Sequence, residues 1–444
     1  MTQVDPAPAP VTRTGAFVHE DPDRQVFLVH RDVLRSPEVF EAERRALWER
    51  SWLYLGHASE LPSPGDFKTR TLAGRPLIFC RTSAGEIAVY HNSCPHKGTV
   101  LCRESSGSSR FFRCFYHAWT FDNEGTLVSL PGEDAYGSRA ELRERMHLRP
   151  VARLGVHRGF VFVSFTTEVP SLAEHLGAAA DYLDLVADQC DLGLEAVPGT
   201  HLYGVRANWK LAVENALDAY HFGPTHITFI DYRKTTGYIT SSTPGIPKTL
   251  GNGHFVHIAQ GRYGRAGLDW EPSWGEAERT RIEANRAELV ARLGEERAAA
   301  VADTSRILYV FPNLLLFDIL GISVRQLEPT APDYTDVNVW QLAPVGEPEE
   351  ARALRLDHLL TFIGPGGFSS PDDMEAYEAI QRGVRSTAGD DRGEVDWSDV
   401  SRGMEKEQLG LQPDTFDEAT IREFWRVWDR RIAPEVPARL RLVP

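Results

Sequence analysis

Cysteine is scarce in this chain, with only five among 444 residues. An odd number spread through a long chain excludes the dense disulfide framework of a small secreted module. We therefore interpret the cysteines as reduced thiols or metal ligands. They are Cys80, Cys94, Cys102, Cys114 and Cys190.

Long apolar runs are also missing. The N-terminus has no apolar segment behind a basic start, so it does not match a signal peptide. The most apolar stretch, 307–322, is interrupted by Pro312 and Asp318 and is too short to span a bilayer. We therefore expect a cytoplasmic protein without a membrane partner.

Positive charge is in deficit, because 48 Lys and Arg face 63 Asp and Glu, for a net charge of −15. Such a chain repels phosphate backbones, so we expect no nucleic-acid partner. With 42% hydrophobic and 25% charged residues, the composition is that of an ordinary globular enzyme. Its length indicates two or three domains.

The sequence pattern divides the chain into four segments. Residues 1–20 begin rich in Pro and Ala and predict a flexible N-terminal arm. Residues 21–52 carry apolar residues at helical spacing, which predicts a helical lead-in that packs on the catalytic domain. Short β-rich runs in 53–166 predict an all-β domain. Longer helical stretches mixed with strand-like runs in 167–444 predict an α+β domain.

Two short segments of the β-rich region each contain one cysteine and one histidine. Cys94 and His96 form a C-x-H segment, Cys114 and His117 form a C-x-x-H segment, and residues 97–113 separate them. Two thiolates and two imidazoles are the ligand set of a Rieske [2Fe-2S] cluster, with one pair on each iron. The alternative is a structural zinc site, but zinc fingers usually pair Cys with Cys and His with His.

A second group of possible metal ligands lies further along the chain. His221 and His226 are five residues apart, which on a regular helix separates their directions by about 140°. Gly223 and Pro224 lie between them and are expected to break the helix, so that both imidazoles reach one ion. Two histidines and one carboxylate form the facial triad of non-haem Fe(II) oxygenases.

The carboxylate must come from elsewhere in the chain. The pair Asp372 and Asp373 follows the Gly-rich segment 364–367, at what the sequence predicts to be the start of a helix. One of the two is expected to be the third ligand. The alternative is a helix N-cap without a metal.

Together, these two groups resemble the large (α) subunit of Rieske non-haem iron aromatic ring-hydroxylating dioxygenases, over nearly the whole chain. The resemblance implies an all-β Rieske domain followed by an α+β catalytic domain with a helix-grip (Bet v1-like, START-like) fold. It favours Asp373 over Asp372, because the second Asp of the family pattern G-P-x-G-x4-D-D is the usual ligand. It implies that Cys94, His96, Cys114 and His117 bind the cluster and that His221, His226 and Asp373 bind the mononuclear iron.

The resemblance also implies roles for residues around the mononuclear iron. Asp218 matches the aspartate that links this site to a Rieske histidine of the next subunit, which implies a homotrimer or an α3β3 assembly. Asn215 would act beside it at the catalytic site. Phe222 and Phe362 would lie near the substrate, although a plain core role is the alternative for both.

The activity implied is that of a terminal oxygenase. Electrons from NAD(P)H would arrive through a separate reductase or ferredoxin, and O2 would be activated beside an aromatic ring to form a cis-dihydrodiol. A small β subunit is compatible with the resemblance. The substrate is expected to be an aryl carboxylate of the cumate, benzoate or phthalate type, with Arg306 and Arg325 as its partners unless they are structural.

Two other functions stay open at this stage. One is a Rieske monooxygenase or demethylase that inserts a single oxygen atom. The other is an electron carrier or zinc-stabilised binding protein with an empty second site. The chain also departs from the family patterns C-P-H-R-G and C-x-Y-H-G/N-W, because it has Lys97 and Ala118.

Overall fold

The computed structural model describes residues 13–136, 145–235, 245–260, 264–388 and 396–441. Its N-terminal part contributes three consecutive strands to a small four-stranded sheet. The fourth strand, Trp397–Asp399, comes from near the C-terminus and pairs with the third. The elements of this part are β1 Arg13–Thr14, β2 Val18–Asp21, β3 Val26–His30 and α1 Pro37–Glu43.

This sheet differs from the expectation for the N-terminus. The end of the arm predicted at 1–20 is paired in strands, and residues 1–12 lie outside the described residues. The carboxylate of Asp429 accepts hydrogen bonds from the backbone N–H groups of Ala16 and Phe17, at 3.0 and 2.8 Å, and so anchors the segment. Within the predicted lead-in, the helical residues are 31–34 and 37–48.

The next part of the chain is all β, as the sequence predicts. Its antiparallel strands form three sheets with the orders β7-β6-β5-β8, β11-β10-β9 and β12-β13-β4. These strands are β4 Leu53–His57, β5 Asp66–Leu72, β6 Arg75–Arg81, β7 Ile87–His91, β8 Ser106–Ser108, β9 Phe111–Arg113, β10 Thr120–Asp122, β11 Leu127–Ser129, β12 Arg153–His157 and β13 Phe160–Ser164.

The remaining chain mixes helices with one large antiparallel sheet, which confirms the α+β expectation. Its helices are α2 Leu172–Leu176, α3 Ala179–Ala187, α4 Trp209–Leu217, α5 Phe222–Thr225, α6 Ile227–Thr235, α7 Gly275–Leu293, α8 Glu295–Ala302, α9 Glu349–Ile363, α10 Ser370–Ser386, α11 Met404–Gln408 and α12 Ala419–Ile432. Its strands are β14 Leu194–Ala196, β15 His201–Val205, β16 Ile246–Gly251, β17 His254–Gln260, β18 Thr304–Val310, β19 Leu314–Asp318, β20 Ile322–Ala331, β21 Tyr334–Pro344 and β22 Trp397–Asp399, the last paired with β3.

The large sheet separates two hydrophobic clusters. Its strand order is β14-β21-β20-β19-β18-β17-β16, and β15 also pairs with β21. Because neighbouring side chains on a strand point to opposite faces, Tyr309 packs on the side of α4 and α12, whereas Leu308 packs on the side of α3 and of Phe160 and Phe162 in β13. The first of these sides carries the segments with the second group of predicted ligands. None of the helices described combines the length and the hydrophobicity needed to cross a membrane.

Candidate active site

The two cysteine-bearing loops of the β domain have the same backbone geometry. In each loop the cysteine N–H donates to the carbonyl five residues later, and the cysteine carbonyl accepts from the N–H four residues later. These two distances are both 2.8 Å for Cys94, and they are 2.8 and 2.9 Å for Cys114. The fourth residue after each cysteine has a positive φ, +75° at Gly98 and +58° at Ala118. Each loop is therefore a closed turn that presents one cysteine and one histidine.

The four side chains lie as two like pairs. Cys94 and Cys114 are buried, and burial together with a hydrogen bond from the Cys94 thiol to Cys114 raises the pKa of Cys94. The rings of His96 and His117 are 4.5 Å apart between centroids, and His96 stacks on Trp119 at 4.7 Å. A buried pair of sulfur ligands beside a pair of imidazoles fits a [2Fe-2S] cluster held by thiolates on one iron and histidines on the other.

The second group of ligands lies where α4 ends. Asp218 terminates that helix with extended backbone, and the chain then makes one isolated turn, α5, between His221 and His226. Gly223 and Pro224 lie inside this turn, so the expectation that they break the helix is wrong. Proline is tolerated there because the N–H groups of a first helical turn have no acceptor within the helix. The breaks come before His221 and at His226 instead.

His221, His226 and Asp373 converge, as the resemblance implied. One donor atom from each lies within 4.8 Å of the other two. The Asp373 Oδ1 is 3.2 Å from the Nε2 of His226 and 3.6 Å from the Nε2 of His221. Asp373 is in the first turn of α10 and is 7% exposed. Two imidazole nitrogens and one carboxylate oxygen directed at a common point fit a single Fe(II).

A carboxylate lies on the far side of each of these imidazoles. Asp218 Oδ2 is 3.7 Å from the Nδ1 of His221, and Asp372 Oδ2 is 3.5 Å from the Nδ1 of His226. Burial lowers the pKa of His221, but its contacts with Asp218 and the charge of Asp373 raise it overall. Asp372 is within hydrogen-bond distance of His226, whereas Asp218 lies just beyond hydrogen-bond distance of His221. A carboxylate beside Nδ1 orients an imidazole so that Nε2 faces a metal. From the sequence, Asp372 is expected to be either a metal ligand or a helix cap. The structure instead places it as the partner of the His226 Nδ1.

Asn215 reaches the same ligands from inside α4. Its Nδ2 lies 3.1 Å from Asp373 Oδ1 and 3.2 Å from the Nε2 of His221. The side-chain amide therefore holds the carboxylate against the two histidines.

Aromatic rings form a wall beside the three ligands. Phe362 lies 6.2 Å from both Phe222 and the imidazole of His226, between ring centroids. The rings of Phe229 and Phe362 lie 4.2 Å apart between centroids, tilted by 33°. The wall continues with Tyr232 and Phe368, whose rings stack at 4.9 Å. Sequence reasoning named Phe222 and Phe362 but missed the other three, although Phe229 and Tyr232 show the i, i+3 spacing of one helix face.

The two arginines named as partners of a carboxylate are separated by the large sheet. Arg325 pairs in register with Leu315, which faces the helices, whereas Arg306 pairs with Asp318 on the opposite face. Arg306 is 1% exposed, and its Nη1 lies 3.0 Å from Asp318 Oδ2. Its Nη2 donates to the carbonyl of Ala300, near the end of α8. The structure therefore places Arg306 in a structural ion pair and not at the pocket, which corrects that expectation.

Comparison with known proteins agrees with this geometry. The profile of the family described as ring hydroxylating alpha subunit (catalytic domain) matches residues 179–434, and the Rieske [2Fe-2S] domain profile matches residues 51–148. The chain belongs to the ring-hydroxylating alpha subunits of Rieske-type dioxygenases. Members of this enzyme class are terminal oxygenases that receive NAD(P)H electrons through a separate reductase or ferredoxin.

Individual relatives cover most of this alpha subunit. The large subunit of 2-halobenzoate 1,2-dioxygenase from Burkholderia cepacia is 31% identical, over 87% of this chain and 82% of its own. The alpha subunit of toluate 1,2-dioxygenase from Pseudomonas putida is also 31% identical, over 86% and 85%. Among solved structures, naphthalene 1,2-dioxygenase from a Rhodococcus species superposes with a TM-score of 0.79 at 28% identity, over 92% and 95% of the two chains.

Proposed function

We propose that this alpha subunit cis-dihydroxylates an aryl carboxylate of the benzoate type. The observation that carries the proposal is the aromatic wall of Phe222, Phe229 and Phe362 beside the converging ligands, which suits a flat ring held close to them. The relatives that act on halobenzoate and toluate support a substrate with a carboxylate on that ring.

The proposed division of labour among the residues follows from their positions. His221, His226 and Asp373 would hold the mononuclear iron, and Cys94, Cys114, His96 and His117 would hold the cluster. The bound groups would supply electrons and oxidising chemistry. Asn215 keeps the Asp373 carboxylate in place through its Nδ2 contact. Phe222 and Phe362 orient the ring and exclude water from one side of it.

Asp218 is proposed to connect the two kinds of metal site across a subunit boundary. Its Oδ1 accepts the backbone N–H of Tyr220 at 2.9 Å, so the side chain is held in a fixed orientation beside His221. A carboxylate in this position can accept an imidazole N–H from each of two histidines. The proposal requires a ring of subunits, either a homotrimer or an α3β3 complex, with a reductase or ferredoxin as the electron donor.

The test is a single turnover of the iron-loaded, chemically reduced protein under isotopically labelled O2. The substrates are benzoate, a methylbenzoate, benzamide and the neutral arene toluene, and products are identified by mass spectrometry. Two labelled oxygens in a diol of an aryl acid support the proposal. A single labelled oxygen, or loss of a methyl group, would instead make the protein a monooxygenase or demethylase. If toluene alone is converted, the substrate is a neutral arene and the proposal of an aryl carboxylate is wrong.

A further inference from the structure

The buried arginines of this protein differ in whether a carboxylate of the protein contacts them. Six are buried in the described part of the chain, and five of them contact a carboxylate of the protein. These pairs are Arg233 with Glu271, Arg265 and Arg306 with Asp318, Arg355 with Glu347, and Arg422 with Glu407. The sixth is Arg325, and among the described residues no carboxylate lies within ion-pairing distance of it.

The contacts of Arg325 leave much of its guanidinium unsatisfied. Arg325 is 8% exposed and stacks on the ring of Phe317, 4.5 Å from Cζ to the centroid. Its Nη2 donates to the Ser370 hydroxyl at 3.3 Å, and its buried Nε has no partner. The carboxylate of Asp373 acts on this charge only from beyond ion-pairing distance. A buried charge without a counter-ion in contact is unfavourable, because it loses hydration that a neutral hydroxyl does not replace. This site therefore favours an anion.

The unsatisfied guanidinium lies next to the mononuclear iron site. Arg325 and the ligand Asp373 line the same cavity, together with Ser370, Tyr377 and Asn208. The cavity has a volume of about 20 Å³, which is room for a water-sized group such as a carboxylate oxygen and not for an aromatic ring. A ring held at the aromatic wall would have to direct only its anionic substituent towards this cavity.

We infer that Arg325 binds the carboxylate of the substrate and is the residue that selects an aryl acid over a neutral arene. The inference rests on the proposed function. A guanidinium matches a carboxylate with two parallel hydrogen bonds, and Nε with one Nη is the edge that forms such a pair. The ring of Phe317 holds the plane of the guanidinium in place, which limits the freedom lost on binding.

The experiment compares Arg325→Gln with Arg325→Lys in the iron-loaded enzyme. The Kd of benzoate and of benzamide is measured by calorimetry, and KM and kcat are measured for both. Arg325→Gln is expected to raise the Kd and KM of benzoate about 10- to 100-fold and to change those of benzamide by less than about threefold. Arg325→Lys keeps the charge and should recover part of the loss. Arg382→Gln, an exposed arginine of α10, is the matched control.

Two results overturn the inference. An equal loss with benzoate and benzamide, carried by kcat and not by KM, would make Arg325 a positioning residue for Asp373. Unchanged benzoate binding in a folded Arg325→Gln variant would show that Arg325 does not bind the carboxylate of the substrate. The proposed function fails in a different way, namely if the wild-type enzyme does not convert aryl acids at all.

Discussion

The carboxylate of Asp372 lies 3.5 Å from the Nδ1 of His226, on the opposite side of the imidazole from the ligand Asp373, which lies 3.2 Å from Nε2. Adjacent residues of one helix therefore hold the two nitrogens of one histidine. Asp372 Oδ2 can accept an Nδ1–H, and this fixes the tautomer that leaves Nε2 as a metal donor. His226 itself is only 1% exposed and also packs against the rings of Phe222 and Phe362, so the two carboxylates and these rings together hold its orientation.

We predict that Asp372→Ala weakens iron binding at the mononuclear site about 10- to 100-fold, the usual loss when such a partner is removed. The measurement is the iron content per cluster at a series of free-iron concentrations. Glu375→Ala is the matched control, because Glu375 lies on the same helix and its ion pair within the described part of the chain is with the exposed Arg382. Equal iron affinity in Asp372→Ala and in the wild type would contradict the role assigned to Asp372.

Ala118 provides a prediction about stability in the Rieske loops. Its φ of +58° places an L side chain in the left-handed region, which costs about 1–2 kcal/mol relative to an ordinary conformation. Ala118→Gly is therefore expected to raise the free energy of unfolding by about 1 kcal/mol, as measured by denaturant titration of the cluster-loaded protein. The converse change in the other loop, Gly98→Ala, should lower stability, because Gly98 has a φ of +75°. Destabilisation by Ala118→Gly would show that this backbone position carries no strain.

A buried ion pair joins the N-terminal helical segment to the catalytic domain. Lys210 on α4 donates to Glu43 at 2.5 Å, and both side chains are fully buried. Glu43 also accepts the indole N–H of Trp209 and of Trp428, at 3.1 and 2.7 Å. Lys210→Met leaves this carboxylate without its counter-ion and should lower the unfolding free energy by about 3–5 kcal/mol. Unfolding in urea measures the change, and the double variant Lys210→Met with Glu43→Gln should recover part of it. A loss below about 1 kcal/mol in the single variant would contradict this expectation.

Stability is expected to fall as the pH drops from about 6.5 to 4. Burial is the main cause that lowers the pKa of five histidines, to about 4 in four of them and to about 2 in the fifth. In this window the unfolded chain takes up protons that the folded protein does not, so each histidine favours unfolding as the pH falls. They are His57, His254, His257, His358 and, with the lowest value, His175.

Two glutamates oppose this trend. Burial raises the pKa of Glu214 and Glu328 to about 7, so the folded state binds their protons first between pH 7 and 4.5 and gains stability there. Burial also raises the pKa of Glu271, Glu418 and Asp429, which adds to this opposition. The five histidines are shifted further in sum, so the expected net effect is a loss of stability. Urea unfolding at several pH values measures how the unfolding free energy changes with pH. His254→Gln should reduce that dependence by about 1 kcal/mol per pH unit. A wild-type slope in that variant would contradict the assignment.

The sequence alone determined the chemistry of both metal sites. The spacing of Cys94 to His96 and of Cys114 to His117 is enough to indicate a Rieske cluster, because a loop with both residue types can present them together only at such short separations. The pair of histidines at 221 and 226 is weak evidence alone and indicates an iron site only together with the Cys and His segments and the Asp372–Asp373 pair, and the family resemblance adds Asp373 as its carboxylate. Local patterns further separated an all-β domain from an α+β domain.

Only the tertiary structure decided which other side chains reach those sites. Arg306 and Arg325 look alike in the sequence, but strand pairing places them on opposite faces of one sheet, and register is a property of the neighbouring strands. Gly223 and Pro224 have the composition of a helix break, yet they lie inside a turn, because the break was set by the residues before and after it. Asp372 meets His226 because chain segments far apart in the sequence pack together. For the same reason Arg325 has no carboxylate in contact among the described residues. The order of residues along the chain does not carry that information.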